Sequence, residues 1–465
     1  MTAASATSYL AFALLCGLLI LLGTRFEGLA SARDSGAFRL VISILAGAVG
    51  FYLLLALLDA MHVPWHPLVL VGTIGVATAA AHGLLHSLHS ISGRPPATGA
   101  PARMGWGDGV ALLALLAFAW FAVTLCIAIS DFYFHWGLKG ERFFLARGID
   151  YEFLAAPWNE PLAPHYPLLL PDLYAATALV AGRFAAPAMM LWSVGFFALL
   201  LLAGREALGQ AGVGRFVAEA TLAVTALAVA AAAMRGTMAG GADWMISLGL
   251  VAAMPALLRP PDRIGSAQIG VAAAFAAASK TEGTALAAIL ISVQCVRMIA
   301  GTRSGRRIDF PGCAALVLPA AAVVGLWQVE VRRHHLLRLY YGGIHDHHAQ
   351  AIWSTLRYEL TRSPIWHGFA YSLLALPLLC LSRRLRPVAA VIAMQVLFYL
   401  YAYFAFLFDP VPLILTTFDR LELHVIPAIL LGAGVALDPL VRSGMTRGVR
   451  TEMENATAAC PAPDY

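Results

Sequence analysis

Seven ionisable residues stand where charge is expensive, at or beside the ends of apolar runs: Asp131, Arg235, Asp243, Lys280, Glu282, Asp419 and Arg420. Ionisable side chains at membrane depth are costly and serve substrates, ions or protons, which makes each a functional candidate. Helix-end snorkelling, or a structural pair such as Lys280 with Glu282, is the plainer alternative. Carboxylates and cations gathered together suit one chemistry in particular, in which a base takes a proton from an acceptor while cations stabilise a departing phosphate. The chain has two lysines, Lys139 and Lys280, among its 31 basic residues. A compact ammonium meets a phosphate as a point charge, so both lysines are candidates for a phosphate site.

The elements that must carry these residues follow from composition. With 60% hydrophobic and 12% charged residues and a mean hydropathy of +0.76, the 465 residues hold too little polar surface to coat a soluble globule. Apolar runs recur between short polar breaks, beginning at 8–23 and ending at 421–437. A span needs roughly 20 apolar residues, and Ala- and Leu-rich runs satisfy their backbone polar groups as helices rather than as alternating barrel strands. The predicted fold class is therefore all-α, a polytopic integral membrane protein.

Loops rich in arginine are expected to stay in the cytoplasm, among them those holding Arg25, Arg33 and Arg39, Arg94 and Arg103, Arg205 and Arg215, and Arg383, Arg384 and Arg386. The alternation holds if one run does not cross. That run is 167–182, which is short, carries Asp172 and contains Pro167 and Pro171. About 13 transmembrane helices remain, with the N-terminus outside and the C-terminus inside. No Lys or Arg precedes Tyr9, so the first run reads as a retained span and not as a signal peptide. The chain divides into a three-span unit with a cytoplasmic linker at 1–108, a transmembrane core at 109–440 and a disordered tail at 441–465.

Several function classes recede. Five of the six cysteines, Cys16, Cys126, Cys295, Cys313 and Cys380, lie in apolar runs without C-x-x-C spacing, and Cys460 lies in the tail, so neither a disulfide framework nor a zinc knuckle is indicated. The net charge of +5 is cytoplasmic arginine of the membrane type, and no nucleic-acid partner is expected. His82, His86 and His89 at helical spacing read as an interfacial stripe. His345, His347 and His348 crowd a loop without fixed ligand spacing, and a metal site stays unassigned.

The threading sends two long loops outward, 131–166 and 330–364. The first reads S-D-F-Y-F-H-W-G-L-K, with Asp131 at the end of a span and Trp136, Lys139, Phe143 and Phe144 at amphipathic spacing behind it. About 25 residues later His165 lies within H-Y-P-L-L-L-P. This pairing resembles the first periplasmic loop of GT-C type membrane glycosyltransferases, in the branch of the bacterial relatives of protein O-mannosyltransferases and aminoarabinose transferases. S-K-T-E-G at 279–283 and D-R-L-E-L-H at 419–424 are similar to later outer elements of that branch, as is Arg235 followed by Asp243.

The resemblance implies a transferase in the bacterial cytoplasmic membrane that moves a sugar from a polyprenyl-phosphate donor to a glycan, lipid or protein acceptor on the outer face. It further implies Asp131 as the catalytic carboxylate; Asp243 is a second catalytic candidate, and Lys139, His165, Arg235, Lys280, Glu282 and Arg420 are candidates for binding the donor phosphate. Two departures stand out. Asp131 follows the fourth span rather than the first, and a single Asp replaces the family's acidic pair, which leaves a divalent cation possible but unassigned. A transporter or lipid flippase, and an acyltransferase or polymerase of envelope polysaccharide, are the competing readings; the first predicts discontinuous helices paired between two halves.

Overall fold

The computed structural model describes residues 3–24, 34–89, 104–125, 131–235, 238–302, 309–337, 340–345, 348–363 and 369–458. Cys126, Cys460, His347 and most of the linker lie outside the described residues, as do the side chains of His82, His86 and His89.

The described chain is all-α, with an isolated bridge between Tyr341 and Phe406. Its helices are α1 (Ala3–Thr24), α2 (Gly36–Ala60), α3 (Pro67–His89), α4 (Trp106–Thr124), α5 (Gly137–Ala146), α6 (Tyr151–Ala155), α7 (Leu169–Ala181), α8 (Ala186–Gln210) and α9 (Arg215–Arg235). They continue as α10 (Asp243–Leu257), α11 (Arg263–Ala277), α12 (Thr281–Thr302), α13 (Phe310–Arg333), α14 (Ala349–Arg362), α15 (Leu376–Leu381), α16 (Arg386–Ala405) and α17 (Pro410–Ala458).

Among the described residues nine helices are long and apolar enough to cross a membrane: α1, α2, α4, α8, α9, α12, α13, α16 and the first part of α17. The chain is a multi-pass membrane protein. Other expected crossings are shorter. The helices α10 and α11 have 15 residues each, and α15 is a six-residue helix behind a 3-10 turn. At 1.5 Å per residue, α10 is about 22 Å long, short of a bilayer core of about 30 Å. All of its residues are buried, so protein and not lipid surrounds it. The 167–182 run, expected not to cross, is the 13-residue α7, buried along almost its whole length.

Close helix approach organises the bundle. A Cβ on Gly47 would lie 2.0 Å from the Leu19 carbonyl oxygen, so α1 and α2 touch backbone to backbone. The ends away from Asp243 are tied by a buried ion pair, Arg259 Nη1 to Asp34 Oδ1 at 3.0 Å, with Gln268 Nε2 donating to Asp34 Oδ2 at 2.7 Å. This joins the start of α2 and the chain after α10 to α11.

Both long loops carry amphipathic helices. In the first, α5 buries Lys139, Gly140 and Phe143 and leaves Glu141 and Arg142 exposed. In the second, α14 buries Ile352 and Leu356 beside Tyr399 and Tyr403 of α16 and Leu421 of α17. The tail expected to be disordered is helical to Ala458, because residues 440–458 contain no proline and continue α17.

Candidate functional site

Asp243 is the hub. It occupies the first turn of α10, where unbonded N–H groups and the helix dipole favour a carboxylate, and it is 1% exposed. Its Oδ1 accepts from Lys280 Nζ at 3.0 Å and meets His424 Nε2 at 2.9 Å. Its Oδ2 accepts from Arg420 Nε at 3.1 Å and Nη2 at 3.0 Å. Two cations and an imidazole thus converge on one buried carboxylate.

The turn before α10 is clamped to hold it. Gly240 has φ +77, a left-handed conformation, and a Cβ there would lie 2.6 Å from Met190 Cε and 2.8 Å from Phe132 Cβ. Its N–H donates to Ser193 Oγ of α8 at 2.8 Å, and its carbonyl accepts from the Tyr174 hydroxyl of α7 at 3.0 Å. Trp244 Nε1 bonds back to the Met238 carbonyl at 2.9 Å.

Asp131 is the second carboxylate, reached through the same guanidinium. Arg420 Nη2 lies 2.9 Å from its Oδ2 and Nη1 donates to its Oδ1 at 3.3 Å. Asp131 is the more accessible of the two, 18% exposed against 1%. Burial pushes its carboxyl above the ordinary carboxylate range, against the downward pull of Arg420. It opens a π-helical turn, Phe132–Trp136, a conformation concentrated at functional sites. That turn also carries His135, whose Nε2 is buried without a hydrogen-bond partner among the described residues. Burial, with Lys139, Arg420 and Lys280 nearby, holds His135 well below its ordinary value and therefore neutral.

A polar chain runs out from the hub. Lys280 also pairs with Glu282 at 3.1 Å, and Glu282 Oε2 is buried without a hydrogen-bond partner among the described residues. On the other side Gln395 Nε2 donates to the Tyr399 hydroxyl at 2.8 Å, and that hydroxyl meets His424 Nδ1 at 2.6 Å. One proton per contact gives Tyr399 O–H to Nδ1 and Nε2–H to Asp243, so a neutral His424 satisfies the chain.

Five expected residues come together here: Asp131, Asp243, Lys280, Glu282 and Arg420. Three do not. Lys139 is fully buried, donates to the Ala163 carbonyl at 3.2 Å and lies over the rings of Trp136 and Tyr166, so its ammonium braces the loop. The same Tyr166 ring lies 5.8 Å from Lys280 Nζ, separating the two lysines. Burial pulls the Lys139 ammonium down to about 7. Arg235 ends α9 exposed and makes no ion pair among the described residues. His165 lies beside Tyr166 and Tyr340 while its carbonyl accepts from Trp327 Nε1 at 2.7 Å. Asp419, another sequence candidate, turns away to the Ser363 hydroxyl.

Sequence reasoning passed over His424, Tyr399, Gln395 and His135. The i, i+4 spacing of Arg420 and His424 was the available signal, since it puts both on one helix face. Tyr399 lay in an aromatic stretch that reads as packing, and in part it is packing.

Three carboxylates thus face two cations with a neutral imidazole between them. Among the described residues no three His, Cys, Asp or Glu side chains gather as metal ligands. Lys280, Arg420 and His424 take the four contacts of Asp243, while Asp131 and Glu282 share those two cations and leave one negative charge uncompensated. No family model, curated protein or solved structure matches the chain.

Proposed function

We propose that the chain is a membrane glycosyltransferase that moves a sugar from a polyprenyl-phosphate donor to a cell-envelope acceptor at the outer face of the bacterial cytoplasmic membrane. The observation that carries this reading is the Arg420 guanidinium shared between the accessible Asp131 and the buried Asp243. Asp131 takes the proton of the acceptor hydroxyl as the acceptor oxygen bonds to the sugar anomeric carbon. The bond from that carbon to the phosphate oxygen breaks, and its electron pair leaves with the phosphate.

The charge balance supports a coupling between the two events. With three carboxylates facing two cations, the resting site has no surplus positive charge for a phosphate. Once Asp131 is protonated its hold on Arg420 weakens, and the guanidinium fork is released toward the leaving phosphate as its charge grows. Stabilisation that increases toward the transition state is what accelerates a reaction. Asp243 is a positioning residue in this scheme, because its four contacts leave it no free capacity as a base. Thirteen crossings with the N-terminus outside would put the site at the outer surface.

The test is transfer of radiolabelled sugar from polyprenyl-phosphate sugars to envelope acceptors by the purified protein in liposomes. Transfer by wild type and a loss of about 10²–10⁴-fold in Asp131→Asn, in protein that still folds, is the expected result. A buried carboxylate held by Lys280, Arg420 and His424 also suits a proton-coupled transporter. Absence of transfer by wild type with any donor would sink the transferase reading in favour of that one.

A further inference from the structure

A chamber lies against α7, on residues that the transferase reading does not use. It has a volume of about 290 Å³ and is lined by Tyr52 of α2, Tyr151 of α6, Asp172 of α7, and Trp327 and Glu330 of α13. Leu57 and Leu326, 55% and 45% exposed, also belong to its wall, so the chamber reaches the surface through an apolar mouth.

Its polar groups are acidic. Asp172 is 1% exposed and its Oδ1 is buried without a hydrogen-bond partner among the described residues. A buried carboxylate oxygen left unpaired is among the more costly features a fold can carry. Glu330 shares the wall, its Oε2 3.3 Å from His334 Nε2. Asp59, beside the lining residue Ala60, accepts from the Ile149 N–H at 3.2 Å and lies within electrostatic reach of Asp172. The His334 ring stacks on Tyr151 at 3.6 Å, and among the described residues no Lys or Arg lines the chamber.

We infer that this chamber is a binding site for the ammonium group of an amphiphile, a primary or quaternary amine on an apolar stem. Asp172 supplies the ion pair, the aromatic faces of Tyr52, Tyr151 and Trp327 attract the cation, and the Leu57–Leu326 mouth takes the stem. An anion would meet the acidic side chains of Asp172 and Glu330 with no cation among the described lining residues. A neutral alcohol of the same length fills the mouth but leaves Asp172 without a counter-charge. The inference stands independently of the transferase reading, since nothing in it involves Asp131, Asp243 or Arg420.

Calorimetric titration of the full-length protein in nanodiscs with n-octylammonium and with n-octanol tests it. Octylammonium should bind saturably, about tenfold or more tighter than octanol, and Asp172→Asn should remove that advantage. If Asp172→Asn does not fold, Ala56→Trp, which fills the chamber from α2, should abolish saturable binding instead. Nanodiscs doped with a dialkyl trimethylammonium lipid separate the two sources of the amine. Loss of octylammonium binding there assigns the site to a lipid headgroup, and retained binding assigns it to a free amine. Equal affinity for amine and alcohol, or amine binding unchanged in the folded variants, overturns the proposal.

Discussion

Replacing Asp243 by asparagine separates the work of the two carboxylates. The side chain is 1% exposed and receives four contacts between 2.9 and 3.1 Å from Lys280, Arg420 and His424. An amide removes the charge and turns an N–H₂ donor toward two cations that are themselves donors. Removing one partner of a buried ion pair costs roughly 3–5 kcal/mol, because the remaining charge is stranded. Lys280 retains Glu282 at 3.1 Å and Arg420 retains Asp131 at 2.9 Å, which places the loss near the low end, about 3 kcal/mol.

Asp131→Asn removes a single, partly exposed partner while Arg420 keeps Asp243. That costs about 1.5 kcal/mol, the low end for a hydrogen bond to a charged group, because Asp131 is partly exposed. Unfolding in mixed micelles titrated with sodium dodecyl sulfate measures both. Asp243→Asn should be the markedly less stable protein, and adding Lys280→Met to it should restore part of the loss through a coupling of about 0.5–3 kcal/mol. An Asp243→Asn protein within about 1 kcal/mol of wild type, or an Asp131→Asn protein destabilised equally, would refute the assignment of Asp243 as the structural hub and Asp131 as the accessible carboxylate.

Four further outcomes follow from the geometry. Because Asp131 must be ionised to act and burial raises its carboxyl, kcat/KM should fall on acidification through a pH above the usual 3.8, as a pH–rate profile will show. Lys139 has a folded value of about 7 against 10.5, so its destabilising effect grows as pH falls from 10.5 to 7; stability of Lys139→Met relative to wild type should rise across that window by up to about 1.4 kcal/mol per pH unit and level off below it. Gly240→Ala, forced into φ +77 and against Met190 and Phe132, should lose about 1–3 kcal/mol in the same unfolding titration. Gly47→Leu should push α1 off α2 and lower thermal stability while Gly17→Leu, whose added Cβ meets nothing within 4 Å, leaves it nearly unchanged.

The class of fold was legible because hydrophobic runs between arginine-rich breaks are a coarse signal that needs no tertiary information. Which runs are too short to cross alone was not, since α10 and α11 are as apolar as the spans and differ in being walled by protein. The shortness of α7 was readable from the Pro167 and Pro171 that interrupt its run. At the site, the expense of charge picked out Asp131, Asp243, Lys280, Glu282 and Arg420 without any contact map. Choosing Lys139 as one of two lysines misplaced it, because amphipathic spacing does not say whether a cation faces water or a cage of Trp136 and Tyr166, and the charge rule itself also picked Arg235 and Asp419, which stand apart. It missed His424 and Tyr399 because a neutral imidazole and a phenol carry no charge cost that marks them in a sequence.

The way Arg420 and His424 are delivered constrains how this chain can change its length. Both arise from one continuous helix, four residues apart, so they lie about 40° from one another around its axis. Adding or removing a single residue between them turns one by about 100° against the other, and the carboxylate of Asp243 can no longer reach both. The segment 420–424 is therefore closed to insertion and deletion.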